Sequence, residues 1–442
     1  MAGVPAEKRD FGLRVADLTR RFVSEWRQCE AKFPARPPVS EQEKRDNEAE
    51  ILAVVLEIEQ QIDRFPVGTS RQDEWRRTFR DSLRDIGRRR FGHPSDYSEV
   101  LLSDASFEIT ERFLEEARRF NSAFEIEDLF QALRNVWIMN TIQLFRGDPI
   151  SYSQAIFAYS MLYPYTDNHL DDRTVDLLSK RRACDRLAQR LAGVPLLPAE
   201  AREVDVFRLV GMIEDQFPRR DFGDVFESLL AIHRAQERSL QQHAHASSDE
   251  VDLLSISVEK GGTSVLADAY LVSGRLDPQE EEFHFGYGFL LQLLDDLQDI
   301  EADRAAGHDT LFSQTNLFLQ RASHEVSKQP LDGLLNRLFG FMDRALGRAG
   351  CFPARGAAAA RDLIPKNCTF MLLQAVAENP GSFSDDYLLR LEATSPVSFP
   401  FLRSQKRTLE KRLRRMRKKL GNKGGVEALF AFSSRQRPAA RG

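Results

Sequence analysis

The sequence predicts an all-α fold, a helical bundle, and three observations lead to this prediction. Apolar residues recur three and four positions apart through most of the chain, which is the spacing of a helix with one buried face. β-branched runs that alternate with polar residues are scarce, so a sheet is not expected. Breaks that contain proline and glycine, such as residues 65–68 and 146–149, separate the apolar segments.

The predicted helices follow one another along the chain, each an amphipathic segment that ends at a polar or Pro/Gly-containing break. They span residues 41–64, 72–90, 106–120, 126–145, 153–172, 206–213, 226–246, 253–273, 280–303, 329–346 and 357–377. Residues 1–40 and 421–442 are expected to be loosely ordered. We expect three segments: residues 1–120 with an N-terminal extension and the first bundle helices, a core at 121–325, and C-terminal helices with a basic tail at 326–442.

A row of carboxylates ends the helix predicted at 280–303. Asp295, Asp299 and Asp303 are four residues apart and share one face, with Asp296 beside them. Like charges at this spacing repel by about 0.2–0.5 kcal/mol per pair, and the apolar run before them indicates burial, which increases the penalty. Divalent cations would neutralise such a row, and oxygen ligands without nearby Cys or His favour Mg²⁺.

A second acidic row follows the apolar, aromatic segment 155–163. Asp167 and Asp171 are again four residues apart, and Asp172 is adjacent to them. Two such rows, facing each other across a cavity, could hold a diphosphate through bridging metal ions. The alternative is that each row is a solvated helix face or a helix cap.

These motifs resemble those of the class I isoprenoid synthase superfamily, which includes trans-prenyltransferases, squalene and phytoene synthases and class I terpene cyclases. The run from Gln292 to Asp299 resembles the second aspartate-rich motif of trans-prenyltransferases, and the run from Asp167 to Asp172 resembles the first motif of head-to-head synthases. Lys260 precedes two glycines where the family has a lysine at a helix break, and residues 307–311 resemble a downstream GKxxxxDL segment, with histidine in place of lysine. The resemblance spans about residues 124–315 and implies a bundle around a central cavity.

The resemblance implies three Mg²⁺ ions and an allylic polyprenyl diphosphate as the substrate. The implied metal ligands are Asp167, Asp171, Asp172, Asp295, Asp296 and Asp299. Lys260, Asp171 and Asp295 are the expected catalytic residues. The expected substrate-binding residues are Lys260, Gln292, Arg173, Arg134, Phe157, Tyr159, Tyr163, Phe285 and Phe289. The aromatic members of this set would each stabilise a carbocation by about 0.5–2 kcal/mol. Gly261 and Gly262 are expected to interrupt the helix and offer backbone N–H groups to an anion, or to form an interhelical turn.

Three functions remain open from the sequence. The preferred one is a class I terpene synthase that ionises the diphosphate and releases a terpene hydrocarbon or alcohol. It is preferred because the chain has no good equivalent of the basic segment with which chain-elongating enzymes bind isopentenyl diphosphate; residues 64–71 are the nearest and match poorly. A prenyltransferase, by elongation or head-to-head condensation, is the second, and a non-catalytic helical interaction protein is the third.

Composition bounds the location and the partners. The formal net charge of −5 gives no reason to expect a nucleic-acid partner. The start of the chain has no apolar signal segment, and no long uncharged run occurs, so we expect a cytoplasmic protein. Residues 403–419 contain ten basic residues and one acid. This segment is interpreted as a solvated basic helix docked on the body, with transient membrane contact and a nucleic-acid patch as alternatives; a homodimer also stays open.

Overall fold

The computed structural model describes residues 10–66, 71–90, 103–122, 124, 126–171, 174–242, 252–313, 329–352, 354–404 and 408. Their regular secondary structure is helical, without a strand among these residues, so the predicted all-α class is confirmed. The α-helices are α1 Phe11–Gln28, α2 Glu41–Asp63, α3 Gln72–Arg90, α4 Asp104–Phe120, α5 Ile126–Arg146, α6 Gln154–Asp171, α7 Leu177–Leu191, α8 Ala201–Gln216, α9 Gly223–Ser239, α10 Leu253–Ser273, α11 Pro278–Gln298, α12 Ile300–Ala306, α13 Gln329–Gly347, α14 Ala354–Glu378 and α15 Asp385–Ala393. None of the described helices is long and apolar enough to cross a membrane.

The described residues group into two compact units. The first lies within Met1–Ala35, Trp137–Asp148 and Ser153–Leu388, and the second within Arg36–Val136, Pro149–Tyr152 and Leu389–Gly442. These boundaries differ from those of the three segments expected from the sequence.

The first unit is built on the antiparallel pair α10 and α11, which form its most extensive helix contact. The side chain of Asp252 caps α10 by accepting from Ser255 N at 3.1 Å, and the helix ends at Gly274, whose φ of 72° is left-handed. Asp277 then starts α11 with a capping box that includes Glu280, followed by Pro278 in the first turn. α9 packs against α10, while α13 and α14 pack against α11.

Residues 1–40 were expected to be loosely ordered, and this expectation is wrong for α1, which spans Phe11–Gln28. This helix carries Phe22 and Trp26, which are buried in the first unit. The ring of Phe22 stacks on that of Phe285 with centroids 5.7 Å apart, and Trp26 meets Phe289 edge-on at 5.9 Å. α1 is therefore part of the core of this unit.

The second unit has its own small core between α2 and α3. The rings of Phe65, Trp75 and Phe79 are buried together, with Trp75 stacked on Phe79 at 4.8 Å. Next to them in sequence, Arg80 donates to Glu111 of α4, and both side chains are buried. The core of this unit thus combines an aromatic cluster with a buried ion pair.

Several predicted boundaries also need correction. The helix predicted at 280–303 is two helices, because α11 ends at Gln298 and α12 begins at Ile300. The sequence prediction did not include α7 or α15. Most of the basic segment 403–419 and all of residues 421–442 lie outside the described residues.

Candidate functional site at one end of the first unit

Asp296 is the buried member of the second acidic row. Its carboxylate accepts from Gln292 Nε2 of the same helix at 2.8 Å and from Ser257 Oγ of α10 at 3.3 Å. Burial raises the pKa of Asp296 to about 7, and the negative charges of Asp295 and Asp303 add to the rise, while the Gln292 hydrogen bond and the positive charge of Lys260 oppose it. This end of α11 therefore carries more negative than positive charge.

Lys260 lies on α10 three residues after Ser257, half-buried, and its charge acts on Asp296. Asp295 is half-buried and Asp299 is exposed. The row continues across the break between α11 and α12, because Asp299 N–H donates to Asp295 O at 3.0 Å and Asp303 N–H donates to Asp299 O at 2.7 Å. The second motif and the predicted lysine thus meet at the contact between α10 and α11.

The two glycines after Lys260 have a different role from the predicted one. α10 runs without interruption from Leu253 to Ser273, and both glycines are buried within it. A Cβ on Gly261 would lie 2.6 Å from Gly288 O, and a Cβ on Gly288 would lie 2.1 Å from Gly261 O. Neither a helix break nor an interhelical turn exists here; the glycines let the backbones of α10 and α11 approach closely.

Three helix ends meet at one end of the first unit. At the opposite end, Arg14 pairs with Asp224 at the start of α9 (3.1 Å) and contacts Tyr270 near the end of α10 and Glu281 near the start of α11. The end of α9, the start of α10 and the end of α11 must therefore meet at the other end. The pairs Arg238–Glu259 and Ser257–Asp296 lie there.

α6 carries the first acidic row toward the same end. Ala155 N at its start donates to Gln216 Oε1 at the end of α8 (2.9 Å), and Tyr165 OH donates to Asp205 Oδ2 near the start of α8 (2.7 Å). α6 and α8 are therefore antiparallel. Because α8 ends six residues before α9 begins, the C-terminal end of α6 points to the end at which Lys260 lies.

The first acidic row begins in the last turns of α6. Tyr163, Asp167 and Asp171 are residues of α6, but their side chains lie outside the described part of the structure. Asp172 and Arg173 lie outside it altogether. Arg134 is exposed and belongs to the second unit. The roles assigned to these residues stay predictions.

The expected aromatic residues fall into two groups. Phe285 and Phe289 are fully buried, and Phe285 packs on Phe22 while Phe289 packs on Trp26 and Phe341. These are contacts of core residues, and their place in a substrate cavity stays a prediction. Phe157 and Tyr159 are buried on α6. Tyr159 lines a small, partly open pocket, together with Leu162, Thr166, Leu187, Leu191, Leu229, Ile232, His233 and Gln236.

Carboxylate oxygens are the candidate ligands for a hard divalent cation at the α10–α11 end. Asp295, Asp296, Asp299 and Asp303 would supply them, and the charges of Asp295 and Asp303 that act on Asp296 are what a cation would relieve. Among the described residues, no group of three His, Cys, Asp or Glu side chains already converges on one point. The three acids of the first row are not part of that comparison.

Two residues near the site were not assigned from the sequence. Ser257 on the facing helix donates a hydrogen bond to Asp296. The sequence feature that could have indicated this role is its position three residues before Lys260. His308 lies in the segment after α12, and its Nδ1 is 3.2 Å from Asp303 Oδ1. The histidine ring thus keeps a polar contact with the acidic row at the start of the downstream segment.

No protein-family model, curated protein or solved structure matches the chain.

Proposed function

We propose that the protein is a Mg²⁺-dependent class I terpene synthase that ionises an allylic polyprenyl diphosphate. The observation that carries this proposal is the meeting of Lys260 and the acidic row of α11 at the end toward which α6 directs Asp167 and Asp171. A diphosphate needs both a concentration of oxygen ligands for metal ions and a fixed positive charge, and this end of the first unit offers both. The cytoplasmic location expected from the sequence belongs to the same proposal.

The residues of this end would divide the work. Asp295 and Asp299, with Asp167 and Asp171, would hold Mg²⁺, which when bound supplies Lewis-acid stabilisation to the leaving diphosphate. Lys260 would attract the diphosphate and stabilise its charge as the allylic C–O bond breaks and the electron pair leaves with the oxygen. The resulting carbocation would then lose a proton to give a hydrocarbon, or add water and release a proton from the added water to give an alcohol. Ser257 and Gln292 would keep Asp296 in place through their hydrogen bonds.

Product analysis tests the reaction. The purified chain is incubated with geranyl, farnesyl or geranylgeranyl diphosphate in Mg²⁺, with and without isopentenyl diphosphate, and products are identified by mass spectrometry. We expect phosphorus-free, hexane-extractable products and released pyrophosphate without isopentenyl diphosphate. Longer prenyl diphosphates that form only when isopentenyl diphosphate is present would instead establish the prenyltransferase.

Variants test the residues. Asp295→Asn and Asp171→Asn should abolish pyrophosphate release, as should EDTA, while Asp343→Asn, an exposed helical aspartate of α13, should not. Lys260→Ala should lower turnover by about 10²–10³-fold, the typical loss for one aimed charge or donor. The matched control is Lys366→Ala on α14, whose side chain is exposed and paired with Asp362. Equal activity of Lys260→Ala and this control would remove Lys260 from the site.

A further inference from the structure

The first turn of α7 exposes two leucines. The exposed fraction is 54% for Leu177 and 72% for Leu178. The buried face of the same helix is formed by Cys184, Leu187 and Leu191, so the two leucines at its tip are not needed for packing of that face. Exposed apolar side chains that lie side by side are a typical feature of an interaction surface.

Two arginines lie on the same face, one helical turn further on. Arg181 follows Leu177 by four residues and Arg182 follows Leu178 by four residues, so each leucine shares a row of α7 with one arginine, and the two rows are adjacent on the exposed side of the helix. Both arginines are exposed. No ion pair is formed by either of them within the described part of the chain. Arg181 and Arg182, with Lys180, outnumber the two exposed acids nearby, Asp176 at the cap and Asp185 one turn further on, so this part of a chain with a formal net charge of −5 is locally positive next to an apolar tip.

The tip of α7 lies beside the end of α6. Lys180 Nζ donates to Leu170 O, the backbone carbonyl one residue before the last of α6. Asp176 caps α7 and fixes its first turn, because its carboxylate accepts from Ser179 N at 2.9 Å and from Ser179 Oγ at 2.6 Å. The surface formed by Leu177, Leu178, Arg181 and Arg182, here called the α7 tip, is therefore held in a defined position.

We propose that the α7 tip is a contact surface for membranes that contain anionic lipids. Leucines at the end of a helix can enter the boundary between headgroups and acyl chains, and arginines one turn behind them can pair with lipid phosphates and carboxylates. A nucleic acid would use the arginines but leave the leucines exposed to water, whereas a bilayer uses both. The contact does not depend on the reaction proposed above, and its test needs no turnover.

Vesicle binding by the full chain tests this surface. The vesicles contain equal parts of phosphatidylcholine and phosphatidylserine, with pure phosphatidylcholine as the comparison, and bound protein is measured by co-sedimentation. We expect binding to the anionic vesicles that falls with added salt. Arg181→Gln with Arg182→Gln should lower the partition coefficient on anionic vesicles by roughly twenty-five-fold, since each cation near such a surface contributes about fivefold. Leu177→Ser with Leu178→Ser should lower binding at least tenfold.

Matched substitutions elsewhere separate the α7 tip from a general surface effect. Leu52→Ser with Leu56→Ser changes two exposed leucines four residues apart on α2, and Arg220→Gln with Arg234→Gln removes two exposed arginines. These controls should bind as the wild type does. No binding of the wild type to anionic vesicles would overturn the proposal. Unchanged binding of both tip variants would also overturn it, since the contact would then lie elsewhere, for example in the basic segment 403–419.

Discussion

Asp268 provides a quantitative test of the packing between α10 and its neighbours. It is 1% exposed, and neither carboxylate oxygen has a hydrogen-bond partner among the described residues. Burial raises the pKa of Asp268 well above its ordinary value of 3.8. The folded protein therefore keeps a proton on Asp268 at a pH at which the unfolded chain has released it.

The direction of the effect follows from proton counting. Because the pKa is raised in the folded state, the contribution to stability is fully present below the unfolded pKa and is lost as the pH rises toward the folded pKa. In that range the free energy of unfolding falls by about 1.4 kcal/mol per pH unit, or about 2.7 kcal/mol over two units. Asp268→Asn has nearly the same shape but does not titrate, so its stability should lack this slope.

Urea unfolding monitored by circular dichroism measures how the free energy of unfolding changes with pH. The wild type and Asp268→Asn are compared in a pH series that rises from about pH 4, near the pKa of an aspartate in the unfolded chain. The variant should gain on the wild type by about 1.4 kcal/mol per pH unit until the folded carboxyl itself ionises. Asp185→Asn, on the exposed face of α7, is the matched control and should show no comparable gain. If the difference in free energy of unfolding between wild type and Asp268→Asn did not change with pH, Asp268 would have the same pKa in the folded and unfolded chains. The conclusion that its buried carboxyl is neutral would then be wrong.

Three further predictions concern packing and buried charge. Gly288→Ala should destabilise the protein by about 1–3 kcal/mol in urea unfolding, because its Cβ would meet the facing backbone of α10. Gly347→Ala, with no atom within 4 Å of its added Cβ, should be neutral or stabilising. Arg80→Met should cost at most about 3–5 kcal/mol, because the buried Glu111 then keeps only the positive charge of Arg76, and adding Glu111→Leu should recover most of this loss. Burial lowers the pKa of His284 to about 3, so stability should fall by about 1.4 kcal/mol per unit as the pH drops below about 6.5, and His284→Phe should remove that slope in an unfolding series over pH.

Helix bounds were predictable where the sequence contains recognisable capping residues and helix-breaking residues. The predicted segment 253–273 matches α10 because Asp252 caps its start and Gly274 takes the left-handed conformation at its end. The prediction for α1 was wrong even though Phe11, Val15, Phe22 and Trp26 have helical spacing and are buried. The partners that order this helix, such as Phe285, are more than 250 residues away in the chain, and local patterns do not show such partners.

The glycine pair shows a second limit of local patterns. A glycine in a helical segment is compatible with a break, a cap or a close approach of another backbone. The position of Gly288 on the facing helix decides for the close approach. A Cβ on Gly261 would collide with α11, and a Cβ on Gly288 would collide with α10. The chain does break at Asp299, between α11 and α12. No glycine or proline lies there, so the sequence did not predict this break.

The candidate site depends on one fact that spacing along the chain cannot supply. Asp171 and Asp295 are separated by more than 120 residues, and periodicity predicts that each lies at the end of a helix without stating which ends meet. The directions of the helices follow from contacts at both ends of the first unit: Arg14 joins the starts of α9 and α11 to the end of α10, and Tyr165 with Ala155 orients α6 against α8. A substitution that removes the contacts of Arg14 and leaves both acidic rows unchanged, such as Arg14→Met, should therefore lower Mg²⁺-dependent pyrophosphate release only to the extent that it unfolds the first unit. If Arg14→Met lost activity but kept the helical content of the wild type, Arg14 would act on the site itself, although it lies at the opposite end of the bundle.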